Sequence, residues 1–171
     1  ISYRLVGSEM CIRDSNGPAI GAGLDLACMC DIRIAARSAK FGSTFVRVGL
    51  IPGDGGAYFL TRTVGFPRAL ELVMSGRVIE AEEAHRIGLV TAVVDDGELE
   101  AAARKQAERL LRGSPLAVRM AKRLCYRSYE ASMEVSLELA ASYQGMVQNT
   151  ADHDEAVAAM LQKRRPVFRG E

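Results

Sequence analysis

The chain has 171 residues, 49% hydrophobic and 25% charged, with 22 lysines and arginines against 21 aspartates and glutamates. That length suits one domain able to bury roughly two thirds of its unfolded surface, with no need of a disulfide framework. A formal net charge of +1 excludes a dominant electrostatic attraction to nucleic acid or anionic membrane, and no apolar run reaches the ~18 residues that a spanning helix needs. Cys11, Cys28, Cys30 and Cys125 lack paired CxxC spacing, and His85 and His153 stand apart from them. No zinc pattern results, so no metal is expected and the thiols are expected to be free, in a reducing compartment. Without the ordered regions of a signal peptide, the expected location is the cytoplasm.

In chain order, residues 1–15 (ISYRLVGSEMCIRDS) mix charged and apolar positions with neither period. They read either as foreign sequence joined to the chain or as an N-terminal strand followed by a loop. The stretch GPAIGAGLDLACMCDIRI at 17–34 organises the rest of the chain. Gly21 and Gly23 permit a tight turn and a close backbone approach, and residues 23–29 are patterned as a buried helix. The first N–H groups of a helix have no internal acceptor and carry partial positive charge, so an anion or developing oxyanion is well received at such a start. Asp25 lies about one turn past Ala22. It reads either as an acid offsetting the dipole or as a carboxylate carried beside the donors.

Residues 31–36 (DIRIAA) alternate as a strand, and 39–42 add a second short one. Gly53, Asp54, Gly55 and Gly56 form a tight turn before a helix from about residue 57, which makes Asp54 a turn residue or a second carboxylate at a helix start. Helices are predicted over 66–75, closed by Gly76, and over 79–87, closed by Gly88. In the second, Glu82, Glu83, His85 and Arg86 read as a solvated face. A strand at 89–94 and a turn at 95–97 lead into a helix at 98–112. Pro115 fits the first turn of the next helix, which runs to about 129 with Leu116, Met120 and Leu124 on one face. Tyr126 and Tyr129 read as packing residues. Helices at 132–148 and 152–162 complete the chain. Lys163, Arg164 and Arg165 then either oppose the last helix dipole or form a phosphate site.

Several chemistries are disfavoured. The sequence from Gly21 to Leu26 begins like a dinucleotide fingerprint, but Leu26 stands where the third glycine belongs and no clear strand precedes it. There is no GK[ST] phosphate loop, GxSxG elbow or HExxH pair, and neither histidine is near a plausible nucleophile in sequence.

Three ordered blocks, namely 17–34, FVRVGLIPGDGGAYFLTRTVG and SGRVIEAEEAHRIGLVTAVV, resemble the crotonase family of enoyl-CoA hydratases and isomerases from Asn16 onward. The resemblance implies an α/β fold, a spiral of ββα turns followed by a helical region that drives trimer formation. It divides the chain into an unmatched 1–15, a core portion at 16–95 and a helical portion at 96–171. It also implies an acyl-CoA thioester substrate with no separate cofactor, no nucleic-acid or membrane partner, and a homotrimer or hexamer. By the same resemblance Ala22 donates its N–H to the thioester oxygen, between Gly21 and Gly23. Asp25 stands where many hydratases carry a catalytic glutamate, and Lys163 matches a lysine that contacts coenzyme A of a neighbouring subunit. The second hydratase glutamate falls at Phe45, which leaves Asp54 as a substitute. The family's upstream half, with its other oxyanion donor, has no counterpart before Asn16, so a C-terminal portion is expected. The alternative function is a catalytically silent acyl-CoA-binding or oligomer-forming member.

Overall fold

The computed structural model describes residues 11–171, which divide into two compact units, 11–106 and 107–171. In the first, β1 (Ile12–Ser15), β3 (Ile32–Ala36) and β6 (Ala92–Val94) form a parallel sheet, with Ile12 opposite Ile32 and Ile34 opposite Ala92. The residues of 1–15 that fall within the described part thus take the strand form, while 1–10 lie outside it. A second sheet joins β2 (Ala19–Ile20) parallel to β4 (Lys40–Gly42), and β4 antiparallel to β5 (Val78–Glu80).

Strand β3 shows why the chain layers here. Alternate residues of a strand face opposite sides, and Ala35 enters a cluster with Leu24, Phe41, Leu60, Leu72 and Ile79 while Ile34 and Ala36 enter another with Leu99. Both faces are covered, so its last three residues are all buried. Helices α1 (Ala22–Cys28), α2 (Gly56–Val64), α3 (Phe66–Ser75) and α4 (Ala81–Arg86) come in the expected order, and α5 (Leu99–Leu110) begins in this unit. Gly76 and Gly88 take positive φ of 60° and 80° at the ends of α3 and α4, which is the left-handed stop that glycine supplies.

Four expectations change in detail. The helix predicted from residue 79 begins only at Ala81, because Ile79 pairs with Phe41 across β4 and β5 and is buried there. Of the predicted strand 89–94, only Ala92–Val94 pairs; Leu89 and Val90 instead donate their N–H groups to the Ala84 carbonyl and fill the core. A strand does precede Gly21, but two residues are too short to leave a periodic pattern. Within α4, Glu83 is not a freely solvated acid, since both its oxygens meet Arg77, at 2.9 and 3.1 Å.

The second unit carries α6 (Pro115–Ser128), α7 (Met133–Gln148) and α8 (Ala151–Leu161). Each begins behind a hydroxyl cap, with Ser114, Ser132 and Thr150 accepting from Ala117, Val135 and His153 N–H, so a first-turn donor is satisfied in each. The groove between α6 and α7 is lined from the α6 side by Ala117, Met120, Ala121 and Leu124. Tyr126 and Tyr129 project elsewhere and are exposed, contrary to the packing role expected of them. Lys122 sits over the Tyr126 ring at 5.7 Å. No described helix is long and apolar enough to cross a membrane.

Candidate active site

The glycine loop is built as an open helix start. Gly21 has a φ of 57° and donates to the Gly42 carbonyl at 2.8 Å, tying the loop to the end of β4. Its own carbonyl accepts from Leu24 and Asp25 at 2.9 and 3.2 Å, which closes the first turn of α1. The N–H groups of Ala22 and Gly23 donate to no backbone carbonyl among the described residues, and Ala22 is exposed. Two donors are therefore left at the mouth of the loop, as helix geometry requires.

Phe45, first residue of a 3-10 turn over Phe45–Val48, lays its ring against this loop. A Cβ added at Gly21 would meet the ring at 3.6 Å. The position that resembles the second hydratase carboxylate is thus filled by an aromatic ring that packs on the donor loop and can neither accept nor deliver a proton.

Asp25 points into the protein. It is only 1% exposed, and its Oδ2 has no hydrogen-bond partner among the described residues. The carboxylate lodges against Gly56 at the start of α2, so closely that a Cβ on Gly56 would overlap it. The Gly56 N–H donates to it. Burial first, and the negative charge of Asp54 second, push the Asp25 carboxyl above its ordinary value of 3.8, against the pull of that hydrogen bond. A buried, partly unsatisfied acid with a raised affinity for its proton is costly to keep, which marks it as a functional candidate. Asp25 stands in the first turn of its own helix α1, and its carboxylate also meets the N-terminus of α2.

Asp54 is exposed in the 53–55 turn that leads into α2, near enough for its charge to be felt at Asp25. At the end of α1, burial foremost pushes the Cys28 thiol up to about 12, so it remains protonated and unreactive. All four cysteines are free, and the described residues contain no His, Cys, Asp and Glu cluster able to hold a metal. Lys163 belongs to the second unit, where it comes after the end of α8, is exposed, and has a φ of 54°. Gly21, Ala22, Gly23, Asp25, Phe45 and Asp54 therefore share one region of the first unit. Sequence reasoning overlooked Gly56; its only signal was a glycine at a helix start, with nothing to tell which side chain would lie over it.

Short parallel strands whose loops open into helix starts, one presenting unpaired N–H groups and the next receiving a buried carboxylate, define an α/β fold of the crotonase type. The chain belongs to the enoyl-CoA hydratase/isomerase family, whose model matches residues 7–171, a match that begins upstream of Asn16. It is 40% identical over 153 residues to a crotonyl-CoA hydratase of Syntrophomonas wolfei, covering 90% of this chain and 59% of that protein. It is 39% identical over 156 residues to a 1,2-epoxyphenylacetyl-CoA isomerase of Escherichia coli, covering 91% and 60%. The crystal structure of an enoyl-CoA hydratase/isomerase from Cupriavidus metallidurans superposes with a TM-score of 0.90 at 38% identity, covering 97% of this chain and 63% of that one. The chain thus spans about three fifths of the length of the curated relatives it matches.

Proposed function

We propose that the complete protein is an enoyl-CoA hydratase or isomerase acting on acyl-CoA thioesters in fatty acid or related acyl-CoA metabolism, as a cytoplasmic homotrimer or hexamer. The Ala22 N–H holds the thioester oxygen as charge develops on it, and Asp25 moves a proton at the adjacent carbon, so that the shared intermediate is an enolate. The observation that carries this reading is Asp25: an almost wholly buried carboxyl that, among the described residues, has one oxygen unpartnered and lies three residues beyond a helix-start N–H that donates to no backbone carbonyl. Its raised pKa suits a group that takes up and returns a proton.

Isomerisation needs one carboxylate to shuttle a proton, whereas hydration also needs a water held and deprotonated beside the β-carbon. The Phe45 ring against Gly21 removes the second carboxylate and favours isomerase chemistry, with Asp54 the remaining acid for hydration. The same ring favours a silent, ligand-binding member as the second reading. Offering 3-enoyl-CoA and 2-enoyl-CoA in separate assays to the complete protein and to its Asp54→Asn variant separates these outcomes. Turnover of the 3-enoyl ester with slow hydration that Asp54→Asn weakens further is expected. Fast hydration unchanged by Asp54→Asn would sink the isomerase reading, and binding without turnover of either ester would establish the silent one.

A further inference from the structure

Arg77 stands between α3 and β5, where acids from two helices converge on it. It donates from Nε and Nη2 to Glu71 of α3 at 2.7 and 3.0 Å, and from Nη1 and Nη2 to Glu83 of α4 at 3.1 and 2.9 Å. Two forked contacts thus hold one planar guanidinium. A single ion pair at a partly exposed position contributes little, but bidentate arginine–carboxylate networks are the exception. Both carboxyls lie below their ordinary value of 4.5, with the Arg77 hydrogen bonds as the foremost cause.

The backbone that this clasp holds lies against the candidate site. Strand β4 is the middle strand of its sheet, and its last residue, Gly42, pairs with Val78, the first of β5. A Cβ on Gly42 would come within 3.1 Å of both the Arg77 carbonyl and the Val78 side chain, so the two strands approach this closely only because the residue is glycine. The Gly42 carbonyl in turn accepts the Gly21 N–H at 2.8 Å, the tie that fixes the loop from which Ala22 presents its own N–H. Gly76 lies as close to the Phe45 turn, since a Cβ there would meet Val46 at 2.9 Å and Arg47 at 3.2 Å. Residues 76–78 therefore support both the donor loop and the turn that carries Phe45. A clasp that served only to join α3 to α4 would need contact with neither.

We propose that Arg77 is a positioning residue, which through Gly42 holds the Gly21–Ala22 loop where its N–H donor meets the thioester oxygen. The proposal rests on the acyl-CoA reading and names the support of its donor. Stabilisation of an oxyanion counts only as charge develops, so a loosened donor lowers kcat and leaves KM nearly unchanged. The test uses the complete protein, its Arg77→Lys and Glu71→Gln variants, and Arg37→Lys as a control, because Arg37 pairs with Glu82 and Asp95 instead. Lysine keeps the charge of Arg77 but not its fork. Glu71 is half-exposed, so its variant keeps the fold and the test stands even where Arg77→Lys fails to fold. Turnover of the enoyl-CoA ester that the parent prefers is measured beside hydrogen exchange at two amides: Gly21, the donor of the tie, and Thr91, which donates to the Arg33 carbonyl. Arg77→Lys is expected to speed exchange at Gly21 alone and to lower kcat about tenfold at nearly constant KM, a part of what losing an oxyanion donor costs. Glu71→Gln should move both readings the same way by less, and Arg37→Lys neither. Unchanged exchange at Gly21 would overturn the proposal, as would equal acceleration at both amides, which marks a general loss of stability. Faster exchange at Gly21 with kcat intact would overturn it too, because the tie would then not govern the donor. A parent protein that turns over neither 3-enoyl-CoA nor 2-enoyl-CoA would instead overturn the enzyme reading and this role together.

Discussion

Asp25 is the residue on which most of the chemistry turns, and its surroundings set two expectations. Asp25→Asn keeps the shape and the acceptor that faces the Gly56 N–H, so the complete protein should fold with an unchanged melting temperature. It should lose at least about a hundredfold in rate, the usual scale for acid–base catalysis; a variant as active as the parent would return Asp25 to a helix-anchoring role. The charge of Asp54 helps to hold the Asp25 carboxyl above 3.8. Removing it in Asp54→Asn lowers that pKa, so the acid limb of the pH–rate profile should move to lower pH. A limb that stays in place would show that burial alone sets the proton affinity. Gly56 is the matching constraint from the other side. Its missing Cβ is the space that the Asp25 carboxylate fills, and a short side chain in a closed site cannot swing away. Gly56→Ala should therefore destabilise by about 2 kcal/mol through overpacking, read by chemical denaturation.

At the scale of elements, the tail after α8 gives a signed pH response, because its Arg164 guanidinium and Val167 N–H bond Glu155 while its Arg169 and Gly170 N–H groups bond Asp152. The Arg164 hydrogen bonds foremost, with Val167 N–H, hold the Glu155 carboxyl down to about 2 from 4.5. At Asp152 burial pulls upward but is outweighed by the Arg169 N–H, the Ser114 hydroxyl and the Gly170 N–H, so that its carboxyl also lies below the ordinary value. A carboxylate with a depressed folded pKa contributes its full stabilisation above the unfolded value and loses it as pH falls through the folded one. Protection of the Val167, Arg169 and Gly170 amides should accordingly be complete at pH 6 and decline between about pH 4.5 and 2. Protection that persists at pH 2 would mean that the tail is held by something other than its two acids. Helix α2 is held from its N-terminus in a comparable way, by a carboxylate from α1, although Gly55 itself offers no capping side chain.

For the molecule as a whole, the decisive feature is apolar surface left open within each unit. In the second unit Met133, Val135, Leu137, Met146, Met160 and Leu161 are all exposed, and in the first Val48, Leu50, Ile51, Phe66 and Met74 are. Patches of that kind drive association. Purified by itself, the 171-residue chain should form oligomers or aggregates and bind coenzyme A thioesters weakly. Light scattering that reports a stable monomer at micromolar concentration would contradict this.

The residues alone determined much of this protein, because several of its signals are local. The glycine stops at Gly76 and Gly88, the hydroxyl caps and Pro115 at the start of α6 act within one turn of where they stand, so α3, α6, α7 and α8 were legible to within a residue or two. The three sequence blocks were specific enough to indicate the family, and with it the α/β fold. What the residues could not express was which distant groups would meet. Ile79 reads as helical until Phe41 is placed opposite it, and Leu89 and Val90 read as strand until the Ala84 carbonyl claims their N–H groups. Asp25 was visible as a candidate, but its seat under Gly56, its unpartnered oxygen and the field of Asp54 arise from folding a later helix start over an earlier one. Asp152 and Glu155 drew no reading from the sequence, and only the returning tail, with Ser114 at Asp152, gives them partners. Local propensity is set by neighbours in sequence, whereas burial, pairing and proton affinity are set by neighbours in space, and those exist only once the chain has closed on itself.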